Sequence, residues 1–402
     1  TFSITPQSGV DITSTDPDQI MKDNNLWSQD NQLGTIYRPD FLPNNPNKYD
    51  ASVNRSSLYV SNEFLPVKDL NAVVGVRAER YVQDYSGYDP VEGKQINNEK
   101  VLDDMDFFPS VNLNYALTPD QNLRASYSRT IARPSFKEAS RATIFDPITG
   151  RYYIGGLIAT ESGNGKTIWD GELSATRINN FDIRWEWFQK GEQMVSVSGF
   201  YKTFDKPIEL VQLVQAKNNI QPRNVGDGEV LGVEVEIRQN LSRIDRSLSA
   251  FSFTGNITLT ESEIDIGRNE LESRRGSARE GKEVDKSRAM AGQAPYIING
   301  GIAYKGENNG IEAGIYYNVK GETLQIVGVA DRPDVYSVPF HKLKFNSSYT
   351  FGPENRKTLG FKATNILNDE KAKVFRAFRA EDQYYSRLNP SRSFSLSFGY
   401  KF

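Results

Sequence analysis

The 402-residue sequence has no cysteine and one histidine, His341. Without thiols there is no disulfide, no thiol nucleophile and no thiolate metal centre. One imidazole is too few for a histidine-based metal site, so neither a metal nor a cofactor is expected. No apolar run approaches the roughly 18 residues a membrane-crossing helix needs. The first residues, TFSITPQSGVDIT, lack the basic start and apolar run of a secretion leader, so a soluble, a processed or a partial chain is expected. Charge of one sign is not in excess: 48 basic residues face 51 acidic ones, net −3. That balance gives no basic patch for nucleic acid. Hydrophobic content is 38% and mean hydropathy −0.57, low for a globular core. None of these absences excludes a transmembrane β-barrel, whose strands alternate and give no hydropathy peak.

What is present is aromatic and alternating. There are 20 Tyr and 22 Phe. In the closing SRSFSLSFGYKF, Phe394, Leu396, Phe398, Tyr400 and Phe402 occupy every second position, with small or polar residues between. A strand sends alternate side chains to opposite faces, so one face here is wholly apolar. The same period sets Ala72, Val74, Val76 and Ala78 against Arg77 and Glu79. It sets Val111, Leu113, Tyr115 and Leu117 against Asn112 and Asn114, and Leu123, Ala125 and Tyr127 against Arg124 and Ser126. It sets Phe181, Ile183, Trp185 and Trp187 against Asp182, Arg184 and Glu186, and Leu231, Val233, Val235 and Ile237 against Glu234, Glu236 and Arg238. Further strands read at 55–65, 194–204, 249–260, 296–305, 311–320, 341–351 and 358–367. The count is thirteen, or 14 with an extra strand at the N-terminus.

The connections alternate too. Short turns at 66–69, 118–121, 189–193, 240–248, 306–310 and 352–357 separate long polar segments at 83–106, 132–180, 205–228, 261–295, 321–340 and 368–390. An outer-membrane barrel has this pattern, with short periplasmic turns and long extracellular loops. The C-terminus then lies on the periplasmic side. The charged mid-strand positions suit a water-filled lumen, and Trp185, Trp187, Tyr349, Phe351, Tyr400 and Phe402, near the turn ends, suit an interfacial girdle. A large soluble β-protein with an aromatic core is the competing interpretation.

Several segments resemble TonB-dependent outer-membrane receptors. FFPSVNLNYALTPDQNLRASYSRTIARPSFKEAS (107–140) is similar to their mid-barrel hairpin, with a Tyr-Ser-Arg-Thr-x-x-Arg-Pro-x-Phe stretch from Tyr127 to Phe136. NVGDGEVLGVEVEIRQNL (224–241) resembles their Asn-x-Gly segment and the strand after it. GQAPYIINGGIAYKG (292–306), FKATNILND (361–369) and the terminal strand resemble their last strands. The style is closest to receptors of Bacteroidetes bacteria, and the first 50 residues match poorly. The resemblance implies an all-β fold, an antiparallel transmembrane β-barrel. The about 14 strands present would belong to a 22-stranded barrel. Residues 1–402 would then be its C-terminal portion, with the plug domain and first strands outside this sequence. A closed 14-stranded passive pore or hydrophobic-substrate channel is the alternative.

The resemblance also implies an active transporter and not an enzyme. It would bind a scarce nutrient (siderophore, glycan, peptide or cobalamin) at its outer loops and import it with TonB-coupled energy. The implied partners are outer-membrane lipid, the TonB complex through the N-terminal part, and the barrel-assembly machinery, which reads Phe398, Tyr400 and Phe402 as a C-terminal insertion signal. A lipoprotein lid is compatible with the family. Candidate ligand-binding residues lie in aromatic loops: Phe145, Arg151, Tyr152, Tyr153 and Trp169 in 132–180, and Phe375, Phe378, Tyr384 and Tyr385 in 368–390, where a short helix over the lumen is expected. Aromatic side chains offer contact area at low entropy cost, though they also serve to pack a loop on itself. The charged loop 261–295, with Arg274, Arg275 and Arg279, suits an anion or simply water. Asp103–Asp104 and Glu234/Glu236 are read as solvated acids, and His341 as interfacial. ESGNGK (161–166) lacks the full phosphate-loop pattern.

Overall fold

The computed structural model describes residues 2–5, 19, 22, 36–39, 48–89, 92–146, 151–155, 159–160, 167–169, 171–191, 193–212, 219–278, 283–329, 332–377 and 380–402. Thirteen long strands form one antiparallel sheet in sequence order. They are β1 (Tyr49–Val67), β2 (Leu70–Asp89), β3 (Lys94–Thr118), β4 (Gln121–Ala132), β5 (Thr176–Gln189), β6 (Gln193–Asp205), β7 (Gly228–Asn240), β8 (Phe251–Asp265), β9 (Tyr296–Lys305), β10 (Ile311–Lys320), β11 (Lys342–Phe351), β12 (Lys357–Thr364) and β13 (Ser393–Tyr400). A two-residue strand, Ser287–Arg288, adds to β8 and completes a 14-stranded sheet. The expected extra N-terminal strand is not part of it: Phe2–Thr5 pairs Ile36–Pro39 in a sheet of two.

Register resolves the two faces. Directly opposed residues share a face, and one row runs Phe64, Ala72, Leu113, Ala125, Ile183, Gly199, Val233, Leu259 and Tyr296 from β1 to β9. A second runs Phe253, Ile302, Ile315, Phe345, Ala363 and Phe394 from β8 to β13. The opposite face carries Asn114, Arg124, Arg184, Ser198, Glu234 and Thr258 in line. The apolar face is not covered by protein: Phe107 is 56% exposed, Ile183 55%, Leu231 56% and Leu396 77%. Contiguous exposed apolar surface on this scale marks an interaction surface, and a sheet-wide band fits lipid. A soluble aromatic core would have buried these residues.

Two expectations change. Segment 83–106 is not a free polar loop. β2 and β3 extend through it to a tight hairpin at Asp89 and Lys94, with Gln83 and Tyr85 buried, because alternation continues past Tyr81. Segment 368–390 is not a helix: Lys371–Arg376 and Gln383–Leu388 are strands. Ala372 and Val374 are buried one residue apart, which is a strand period. Nor does the 14-stranded sheet close on itself among the described residues. Among the described residues β1 pairs only β2, and β13 pairs only β12.

The faces are testable with neighbouring residues of β7. Val233→Lys, on the apolar face, is expected to cost about 2–4 kcal/mol and to deplete the heat-modifiable folded form in membranes. Glu234→Gln, on the opposite face, should stay within about 0.5 kcal/mol of the parent. Equal damage from both would contradict a lipid-facing row.

Candidate functional site

The polar face holds two ion-pair chains. Glu79, Asp106 and Glu186 are nearly buried there, at 4%, 6% and 6% exposure, and a buried carboxylate needs partners. Arg77 and Arg133 bracket Glu79 at 2.6 and 2.8 Å. Arg133 also reaches Asp106 at 3.4 Å, and Arg177 meets Asp106 at 3.0 Å. Arg124 and Arg184 both bind Glu186 at 2.8 Å, and Arg184 and Arg238 both bind Glu236, at 3.1 and 2.9 Å. Arg133 belongs to the Tyr127–Phe136 stretch singled out in the sequence, and its guanidinium also lies 4.1 Å from the Tyr81 ring centroid. Just beyond it, Ser135 caps the short helix Phe136–Ala139 with a capping box to Glu138.

At the end of the sheet with the long connections, the loops build secondary structure of their own. One four-stranded sheet joins Thr143–Asp146, Arg151–Ile154, Ile208–Gln212 and Asn219–Asn224. A second joins Thr323–Ile326, Asp334–Ser337, Lys371–Arg376 and Gln383–Leu388. The two meet at a parallel bridge, Val211 to Val327. There the Gln212 N–H donates to the Val327 carbonyl and the Val327 N–H to the Leu210 carbonyl, each at 3.1 Å. Val211, Leu324, Val327 and Val329 pack together beneath the bridge.

Charge stitches the loop at 261–295 to both sheets. Arg288 donates to Glu209 at 2.5 Å and to Glu270 at 2.7 Å. Arg274 donates to Glu270 at 2.9 Å and to Asp334 at 3.0 Å. Burial disfavours the Arg288 cation, but the bonds to Glu270 and Glu209 outweigh it and raise its pKa. The arginines of this loop therefore serve as internal ties more than as a free cationic lure. Asparagines from the quoted motifs close the rim. Asn224 bonds the Ser174 carbonyl at 3.0 Å and the Lys206 carbonyl at 2.7 Å. Asn365 bonds the Asp369 and Ser391 carbonyls at 3.0 and 3.1 Å. Gly226 sits so close to Asp265 that a Cβ would meet its carbonyl oxygen at 2.1 Å, so only glycine fits there.

The candidate ligand-binding residues divide by face. Phe145 and Tyr152 oppose each other across their hairpin, ring centroids 5.0 Å apart, and both are exposed. Arg151 and Tyr153 turn to the other face and are buried, at 6% and 9% exposure. There the Arg151 guanidinium lies 4.8 Å from the Tyr385 ring and 5.4 Å from the Phe375 ring, which themselves pack edge to face at 5.5 Å. Two loops far apart in sequence are thus brought together. Tyr384 stays 61% exposed, under the Arg387 guanidinium. The Trp169 side chain, Phe378 and Arg279 lie outside the described residues. Burial lowers the Arg151 pKa, and Arg332 adds a second positive charge nearby. Burial alone pushes Arg223 down to about 10; its Nε–H donates to Gln221 at 2.8 Å.

Sequence reasoning missed Gln212, Glu209 and Arg288, which carry no local signature. Among the described residues no three metal-ligating side chains come together. His341 accepts or donates at Nδ1 with the Tyr317 hydroxyl, 2.6 Å away, and stays exposed.

Removing the tie between loops should loosen them. Arg288→Ala strands Glu209 and Glu270 without their shared cation, at a cost of about 3–5 kcal/mol to the loop layer. It should appear as new protease cleavage within 205–228 and 261–295 in an otherwise folded barrel. An unchanged cleavage pattern would show that this network does not hold the loops.

The family model for the TonB dependent receptor-like β-barrel matches residues 5–366. No curated protein shows significant sequence similarity to the chain. Among solved structures, the ferric citrate transporter FecA aligns at 14% identity and TM-score 0.58, covering 87% of this chain and 45% of that one. The copper transporter OprC aligns at 14% identity and TM-score 0.58, covering 88% and 49%. The ferric-catecholate import receptor Fiu from E. coli K12 aligns at 13% identity and TM-score 0.54, covering 88% and 45%. At such identities the likeness is one of fold, and the chain spans about half the length of these structures. With thirteen ordered strands, a lipid-suited face and a family match across most of its length, the chain belongs to the TonB-dependent receptor β-barrels of the outer membrane, a family of transporters and not of enzymes.

Proposed function

We propose that this chain is the barrel portion of an active transporter that captures a scarce small nutrient at its interlocked loops and imports it with TonB-coupled energy. The observation that carries this reading is the loop layer. Five loops are tied together by two sheets, one bridge and the Glu209–Arg288–Glu270–Arg274–Asp334 chain. A passive pore has no need of so ordered a cover. The similar structures are named for ferric citrate, ferric catecholate and copper, so a metal chelate joins glycan, peptide and cobalamin as a cargo class. The long-loop end is read as extracellular, and the C-terminus as periplasmic.

The outer edges of β1 and β13, which have no partner strand among the described residues, support a further part of the reading. Unpaired backbone groups are not tolerated in lipid. Strands and a plug encoded outside these 402 residues would close and fill the barrel, with the polar-face ion pairs as the wall the plug contacts. The TonB complex would act through that part. Lipid and the barrel-assembly machinery are the remaining partners, and a lipoprotein lid is compatible with the loop layer.

Two experiments test this. Uptake of the cargo should fall to background in cells lacking TonB, and the polypeptide extracted from native membranes should have a mass well above 45.3 kDa. TonB-independent flux through a polypeptide of about that mass would favour the passive pore. Separately, Phe402 is fully exposed, and its ring meets Tyr400 edge to face at 5.2 Å. Deleting Phe402 is expected to reduce folded barrel in the outer membrane several-fold while leaving synthesis unchanged; undiminished assembly would remove it as an insertion signal.

A further inference from the structure

One face of the first loop sheet has three polar side chains that are more than nine-tenths buried yet incompletely bonded. Among the described residues, Arg151 Nη1, the Tyr153 hydroxyl, and both amide atoms of Gln212 have no hydrogen-bond partner. The register places them together. Gln212 opposes Ile220, which opposes Tyr153 on the adjacent strand. Arg151 is two residues from Tyr153 and so on the same face. Two strand spacings make this row about 10 Å wide. Buried polar groups in native proteins are nearly always satisfied, so three on one face call for an explanation.

Arg151 lacks the carboxylate partner that most arginines of the loop layer have, as does Arg223, which bonds Gln221 instead. Arg141, Arg274, Arg288, Arg376 and Arg387 each engage a carboxylate. Among the described residues Arg151 engages none, and the Arg332 cation acts against its charge. The rings of Phe375 and Tyr385 lie 5.4 and 4.8 Å from the Arg151 guanidinium carbon, a cation–π distance, and such contacts do not use up the five N–H donors of a guanidinium. Nη1 has no acceptor among the described residues. We infer that Arg151, Tyr153 and Gln212 form the polar wall of a binding site for an oxyanion-bearing ligand, one presenting carboxylate or phosphate oxygens, with Phe375 and Tyr385 against Arg151. The inference rests on the reading that the loops capture the cargo. Arg151 supplies the charge, Tyr153 a hydroxyl donor, and Gln212 both a donor and an acceptor.

The test uses the protein extracted intact from membranes, titrated calorimetrically at low salt with citrate, with inorganic phosphate and with neutral maltotriose. Citrate, phosphate or both should bind. Arg151→Gln should weaken that binding roughly tenfold or more, the worth of one charge-assisted bond. Arg151→Lys should retain part of it, and Lys305→Gln, at the opposite end of the sheet, all of it. Heat-modifiable migration confirms that each variant is folded. Failure of both anions to bind the parent, as when another polypeptide segment already pairs Arg151, would overturn the inference. So would equal binding by Arg151→Gln. Maltotriose binding alone would overturn the oxyanion assignment and leave loop capture standing. Arg151-dependent citrate binding with TonB-independent flux would sink the transport reading and leave the anion site.

Discussion

The constraint on which the structure depends is that backbone N–H and C=O groups cannot be left unpaired in lipid. A chain without apolar helices meets it only by pairing strand to strand, and here thirteen strands do so in sequence order with mostly regular registers. The pleat then assigns every side chain to a face. Exposed Ile183, Val233, Leu259 and Phe394 therefore follow from the same ladder that sends Arg184 and Glu236 to the opposite side. The ladder ends at β1 and β13, whose outer edges have no partner strand among the described residues.

The polar face solves a second problem. Carboxylates such as Glu79 and Glu186 are costly to bury alone, and each is met by two arginines from different strands or from the chain just beyond one. These pairs fix neighbouring strands against each other at the inner surface while lipid faces the outer one. Farther along the sheet the same chemistry moves into the loops. Arg288 and Arg274 join segments that the sequence holds far apart, and the asparagines at 224 and 365 return loop backbone to the barrel rim. Arg151 departs from this pattern, a buried arginine with rings but no carboxylate beside it.

Much of this was legible in the sequence because period-two alternation and turn chemistry act locally. All thirteen barrel strands, the six short turns and the faces of Val233 and Glu234 follow from it. The extension of β2 and β3 to Asp89 and Lys94 was obscured by the polar residues of a hairpin that projects beyond the apolar band. The strands at 371–376 and 383–388 were obscured because a single turn of helix and a short strand look alike in a six-residue segment. Loop partners were not legible at all. Nothing near Arg151 in sequence points to Tyr385, and nothing near Glu209 points to Arg288, since those contacts form only when distant loops meet. Motif residues such as Arg133 and Asn224 stood out as letters before the structure gave them their ion pairs and carbonyls.

The measurement that tests the central claim most directly uses the absence of cysteine from these 402 residues, in which any introduced thiol is unique. Single cysteines placed in turn at positions 230–237 would carry a probe read by lipid-soluble and water-soluble quenchers in reconstituted membranes. The account predicts strict alternation, with 231, 233, 235 and 237 quenched from lipid and 232, 234 and 236 from water or shielded by the polar face. Uniform access from water along β7 would contradict a membrane-spanning sheet.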